Sequence, residues 1–241
     1  MAGDRLGATL QAQRLGDVTD IVPLAPRAFE LTAPWGPVVR GVRWGDRDDV
    51  VLLLHEPGAD IDAWGTLPSR LVDALGIQTV AVDLPGHGLS DEPWEPHRSV
   101  DLVRLLAESE GLAGRLVSIA AGSMAFATLE IAAEVGLAGL VCLSPEGDRR
   151  SAMPRSPRVP KLLFAGAQTG DDLATARHLA TATGGWAVVT SIPAAAQGTV
   201  LLASEWSGRI TEEITAFLRD CQGRPARSPG SAASIGVGRQ G

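Results

Sequence analysis

Two kinds of hydrophobic pattern take turns along this chain. The first is the short run that is apolar almost throughout: Val50–His55 (VVLLLH), Gln78–Val82, Leu116–Ala120, Leu137–Leu143 and Lys161–Ala165. Such runs, too short for ordinary helices, suit strands covered on both faces. The second is the longer stretch with helical spacing. Over Trp64–Ala74 it sets Leu67 and Leu71 on one side. Over Ser99–Glu110 it sets Val100, Val103, Leu106 and Ala107 on one stripe. The same reading predicts helices over Ser123–Val135, Asp171–Thr183 and Arg209–Asp220, and a further strand over Trp186–Ile192. At the front, Ala28–Thr32 and Val38–Trp44 read as two strands about a turn at Pro34-Trp35-Gly36-Pro37.

Strand and helix alternating in this way imply an α/β fold: a mostly parallel, doubly wound sheet with helices on both faces. Residues 1–26 read as a loosely structured lead-in, 27–221 as one domain, and 222–241 as a disordered tail rich in Gly, Ser, Pro and Arg. In such sheets chemistry gathers on the loops at the carboxyl ends of the strands. Here those loops are 55–63, 84–96, 121–124, 144–160, 166–172 and 193–199.

Composition narrows what the loops can do. A length of 241 residues and a net charge of −7 fit one acidic globular domain. That charge argues against nucleic acid or an anionic membrane as partner. The longest strongly apolar run is far too short to span a bilayer, and the first residues carry no apolar signal core. A cytoplasmic protein is the expectation, with Cys142 and Cys221 as unpaired thiols. No Cys/His cluster has metal-ligand spacing, so neither a metal nor a cofactor is expected. Tyrosine is absent, and Lys161 is the only lysine.

Three loops carry a family likeness. VVLLLHEPGADIDAW resembles the strand and oxyanion loop of the α/β-hydrolase superfamily, and VAVDLPGHGLSD resembles its next strand and Gly-rich turn. Ala121-Gly122-Ser123-Met124-Ala125 then falls where the family's nucleophile elbow belongs. The likeness covers about Ala28 to Leu218. It implies Ser123 as nucleophile, keeping the small-x-Ser-x-small spacing, with Ala121 and Ala125 in place of glycines. A one-residue slip would instead put Gly122 at that position and leave Ser123 as a helix N-cap.

The resemblance further implies an oxyanion hole from the Met124 N–H and one N–H of the loop Glu56-Pro57-Gly58-Ala59. Pro57 has no N–H, which leaves Glu56, Gly58 or Ala59. A Glu56 carboxylate would oppose a developing oxyanion, or serve as a proton acceptor itself. The family's acid falls near Thr169, so Asp171 or Asp172 is the candidate, with Asp148 as another. Either neighbouring Asp would also suit a helix start. His55 and His87 match structural turns of the family. The segment between the strands ending at Leu143 and starting at Lys161 leaves room for a minimal cap. Its arginines (Arg149, Arg150, Arg155, Arg158) either attract an anion or only solvate a loop.

The base breaks the pattern. Short relatives read His-Gly-Thr after the last strand; this chain reads Gln197-Gly198-Thr199. A glutamine amide holds a hydrogen bond but takes no proton near neutral pH, so a serine beside it stays a weak nucleophile. Two readings follow. One is an atypical member that carries out non-hydrolytic proton chemistry (epimerisation, cyclisation, isomerisation) or binds a small molecule or peptide in the cleft. The other is a serine hydrolase acting through Ser123 on a small ester, thioester or amide.

Overall fold

The apolar runs become the middle of an eight-stranded sheet. The computed structural model describes residues 25–109, 116–147, 158–168 and 170–223. Nearly all of the expected lead-in and tail and most of the expected cap segment lie outside them. The strands are β1 (Arg27–Thr32), β2 (Val38–Trp44), β3 (Val50–Leu54), β4 (Gln78–Val82), β5 (Leu116–Ala121), β6 (Gly139–Leu143), β7 (Lys161–Gly166) and β8 (Ala187–Ile192). Their order across the sheet is β1-β2-β4-β3-β5-β6-β7-β8. β1–β2 and β2–β4 are antiparallel, and every pair from β4–β3 to β7–β8 is parallel.

Among the described residues five helices cover this sheet: α1 (Leu67–Leu75), α2 (Ser99–Ser109), α3 (Met124–Ile131), α4 (Gly170–Ala182) and α5 (Ser207–Gln222). Side chains alternate across each strand, so every central strand feeds two cores. Leu52 and Leu54 of β3, Ala120 of β5 and Cys142 of β6 pack with α2, α3 and α4 through Leu102, Met124 and Leu179. Val51 and Leu53, with Ile119 and Val141, face the other way, toward Leu71 of α1 and Ile214 and Phe217 of α5. This double burial is why β3, β4, β5, β6 and β7 contain no exposed position. β8 has a neighbour on one side only, and its Val188 is partly open to water.

The boundaries that differ from the sequence reading have local causes. α1 starts at Leu67 rather than Trp64, because Ile61–Trp64 forms a separate 3-10 turn and Pro68 suits the first turn of a new helix. α3 stops at Ile131, after which the chain turns through Gly136 at φ 63°. β6 begins at Gly139, where a Cβ would lie 2.8 Å from Cys221 Sγ of α5. The hydrophobic pattern misses a further 3-10 turn at Gly198–Ala203, which follows the last strand.

Candidate functional site

At the carboxyl end of β5 the chain reverses into α3 within two residues. Gly122 makes the reversal, at φ 55°. Its N–H donates to Leu143 O of the neighbouring strand at 3.0 Å, and its carbonyl accepts from the Glu146 N–H at 3.2 Å. Ser123 has ordinary helical angles, φ −68° and ψ −21°, and its side chain caps nothing. The strained position of the turn therefore belongs to Gly122, one residue before the Ser123 register favoured from sequence. The Ser123 side chain is exposed, makes no cap hydrogen bond and is not among the residues that line the cleft described below. The same shift makes Ser123, rather than Met124, the residue whose N–H follows the apex.

The loop after β7 and the loop after β8 meet beside this turn. The Ala167 N–H donates to Ile192 O at 2.6 Å and the Gln168 N–H to Ala194 O at 3.4 Å, tying the two loops together. They bring Gln197 to Asp172, whose Oδ1 accepts from Gln197 Nε2 at 2.9 Å. Asp172 is buried and Asp171 exposed, since neighbours on a helix point about 100° apart. Asp148 and Thr169 lie outside the described residues.

Glu56 occupies the space between these two turns. Its Cβ lies 2.8 Å from where a Cβ on Gly122 would be, so any side chain at the apex would collide with it. Its carboxylate reaches across to the turn after β8. Oε1 accepts from the Thr199 N–H at 3.0 Å and the Thr199 hydroxyl at 2.9 Å. Oε2 only shares the same N–H, at 3.2 Å. Gly198 between Gln197 and Thr199 has φ 56°, and a Cβ there would overlap Glu56 Oε1. Two glycines thus admit one glutamate. Sequence reasoning named Glu56 and Gln197 but missed Thr199, whose contact spans 143 residues of chain.

Glu56 leaves its own loop by a tight turn. The Ala59 N–H returns to Glu56 O at 3.1 Å, and Gly58 lies between them at φ 97°. With Pro57 ahead of it, this is the pattern of a type II turn. Gly58 is exposed and is not among the residues that line the cleft described below.

The open space above these residues is a cleft of about 620 Å³. Glu56, Gly122, Gln197 and Gly198 form one part of its lining; Glu146, Asp171, Asp172 and Thr175 supply more polar groups. Ser144 also lines it, only 4% exposed, with backbone φ 45° and an Oγ that has no hydrogen-bond partner among the described residues. No Lys, Arg or His is among the described lining residues. Among the described residues no group of three or more His, Cys, Asp or Glu side chains is placed to hold a metal ion. Nor is any described helix long and apolar enough to cross a membrane.

No family model matches the sequence, and no curated protein sequence matches it. Solved structures do. A predicted CIB-like hydrolase from Thermoplasma acidophilum superposes with TM-score 0.65 at 15% identity, over 81% of this chain and 99% of that one. A putative aryl esterase from Burkholderia cenocepacia gives 0.63 at 18%, over 82% and 100%. A serine hydrolase without a lid from Xanthomonas campestris gives 0.60 at 17%, over 86% and 98%. With the strand order already described, these likenesses decide the architecture. The chain has the α/β-hydrolase fold.

Within that fold the segment VAVDLPGHGLSD is a structural knot. Asp83 accepts backbone N–H bonds from Ile61 at 2.9 Å and Leu89 at 2.8 Å, and Gly88 packs where a Cβ would overlap its carboxylate. His55 is the brace beside it. Its Nε2 accepts the Leu84 N–H at 3.0 Å, which leaves the proton on Nδ1 to be donated to Glu56 O at 2.8 Å. Burial lowers its pKa below the ordinary histidine value, so it is a neutral, fully committed imidazole. His87 donates to or accepts from no cleft residue; its Nδ1 lies 2.9 Å from Pro85 O, which fixes the proton there.

Proposed function

We propose that this chain is a non-hydrolytic α/β-hydrolase-fold protein whose cleft binds a small molecule, with Glu56 as its proton acceptor. One observation supports the reading: Gly122, and not Ser123, takes the positive φ at the apex of the turn, and the group bonded to Asp172 is Gln197. A turn without a hydroxyl and an amide without basicity lack two of the three parts of a Ser-His-Asp triad. The Gln197–Asp172 bond is then a relic of triad geometry that fixes the amide but moves no proton.

Glu56 is an ionisable group held against both Gly122 and Gly198. Thr199 saturates Oε1 with two donors and leaves Oε2 with one shared N–H. Oε2 is therefore the atom with lone pairs to offer a ligand. A carboxylate held in this way can take a proton from a bound acid and return it elsewhere, which is the core of an epimerase, cyclase or isomerase step. The first N–H groups of α3 lie beside Gly122 and favour negative charge developing on the ligand.

The solved neighbours named as esterases and hydrolases favour a second reading, hydrolysis of a small ester, thioester or amide through Ser123. Labelling with a fluorophosphonate probe separates the two. The native protein is expected to remain unlabelled, like its Ser123→Ala variant. Stoichiometric labelling that disappears in Ser123→Ala would overturn the non-hydrolytic reading.

A further inference from the structure

Ser144 lines the cleft just past the end of β6, and the fold keeps it there at two costs. Its backbone has φ 45°, the only positive φ of a non-glycine residue among the described residues. Pro145 follows it, and a residue before proline is ordinarily extended. Its Oγ is buried with no hydrogen-bond partner among the described residues. Other buried hydroxyls are committed: Ser118 donates to Leu52 O, Thr128 to Met124 O and Thr183 to Leu179 O. Backbone strain and an unpaired buried hydroxyl are each features that concentrate at working sites, and here one residue carries both.

Gly122 is the neighbour that Ser144 and Glu56 share. The Gly122 N–H donates to Leu143 O at 3.0 Å and its carbonyl accepts from the Glu146 N–H at 3.2 Å, which clasps the segment holding Ser144 to the turn. Glu56 packs against the same glycine and lines the same cleft. We infer that Ser144 contacts the ligand, its O–H donating to the carbonyl oxygen of a small ketone or related compound with a C–H beside that carbonyl. The inference rests on the reading of Glu56 as proton acceptor. A turn about the Cα–Cβ bond carries the Ser144 hydroxyl to the open side, and an unpaired hydroxyl gives up no hydrogen bond in turning. Its proton can be satisfied only by an acceptor, and a carbonyl oxygen is an acceptor that gains charge as Glu56 acts. In that step Glu56 Oε2 takes the proton from the carbon beside the carbonyl. The C–H pair becomes a C=C bond, and the carbonyl π pair moves onto oxygen, where the Ser144 bond strengthens. Return of the proton from Oε2 to carbon restores the ketone, so nothing is oxidised or consumed.

The probe is 2-tetralone, a neutral ketone whose C1–H is acidified by both the carbonyl and the ring. Exchange of its C1 protons for deuterium is followed by ¹H NMR in D₂O with the full chain. The native protein should speed this exchange over buffer, and Glu56→Gln should abolish the gain. Ser144→Ala should cut the gain about 100-fold, the scale of losing one donor to a developing oxyanion. Ser144→Gly should cut it equally and should also raise the urea midpoint. Glycine takes a positive φ freely, and the unpaired hydroxyl is gone. A serine kept for the fold alone would give the opposite shift.

Exchange that is unchanged in both Ser144 variants but lost in Glu56→Gln overturns the inference and leaves Glu56 as acceptor. A gain that survives Glu56→Gln overturns it too, as does native protein that exchanges the probe no faster than buffer. A midpoint that falls in Ser144→Gly would make the hydroxyl a support for the fold and overturn it as well. None of these outcomes bears on fluorophosphonate labelling at Ser123, so the failure of this inference and the failure of the non-hydrolytic reading are read separately.

Discussion

At the scale of single residues, the site is organised by what two glycines leave out. Gly122 and Gly198 both have positive φ, and both would direct a Cβ at Glu56. For Gly198 the obstacle is the carboxylate itself. Gly198→Ala should therefore destabilise the protein by the left-handed strain of about 1–2 kcal/mol, plus the cost of moving Glu56 off Thr199. Truncating the glutamate removes the second part and keeps the first. In urea denaturation, Gly198→Ala should cost clearly less in a Glu56→Ala background than in the native one, a coupling of about 0.5–3 kcal/mol. Additive effects would mean that Gly198 serves the backbone alone. Little of this was legible in the sequence. In the string Ala-Gly-Ser-Met-Ala the glycine suits a positive φ, but the small-x-Ser-x-small spacing points to Ser123 as the apex instead. The Glu56–Thr199 contact joins positions 143 apart and leaves no local trace. Gln197 was easier to single out, because Gln-Gly-Thr keeps the shape of a familiar ending while changing its chemistry.

At the scale of elements, the loop after β3 and the loop after β4 are joined through His55. One ring nitrogen accepts from Leu84 and the other donates to Glu56 O, so the imidazole works only when neutral. Burial lowers its pKa below the ordinary histidine value of about 6.5. The sign of the consequence follows. Between the folded and unfolded pKa values the unfolded chain binds more protons, so stability rises with pH in that window. The His55 contribution is complete above pH 6.5 and is lost as pH falls below it toward the folded value. Denaturation midpoints should decline on acidification from pH 7 to 5. The Nε2 ¹⁵N shift of His55 should stay that of an unprotonated ring nitrogen to below pH 6.5. Protonation at or above 6.5 would contradict this account. The elements themselves were largely legible, because double burial forces continuous apolar strands and single burial forces helical stripes. What escaped was irregular. The 3-10 turns at Ile61–Trp64 and Gly198–Ala203 have no hydrophobic period of their own, yet the second one carries Thr199.

At the scale of the whole molecule, the parallel sheet separates two ends with different tasks. The carboxyl ends of β3, β5, β6, β7 and β8 lead to the residues of the cleft. The opposite end holds the sheet closed, and Lys161 shows how. It opens β7, is fully buried, and donates from Nζ to Val159 O at 2.8 Å and Gly184 O at 2.6 Å. Those carbonyls lie on the segments that enter β7 and β8, so one ammonium clamps both. Burial lowers its pKa below that of an ordinary lysine, which by itself would speed attack on an acylating reagent. Enclosure works against that, since a group with no exposed surface reacts only when the structure around it opens. The chain has a single lysine, so the experiment has one internal reporter. A water-soluble N-hydroxysuccinimide ester should acylate the native protein at the α-amino group alone. Lys161 should be labelled at a rate that rises with urea in step with global unfolding. Rapid acylation of Lys161 in native buffer would mean that this end of the sheet opens locally, and that the clamp between β7 and β8 is far weaker than its two short hydrogen bonds imply.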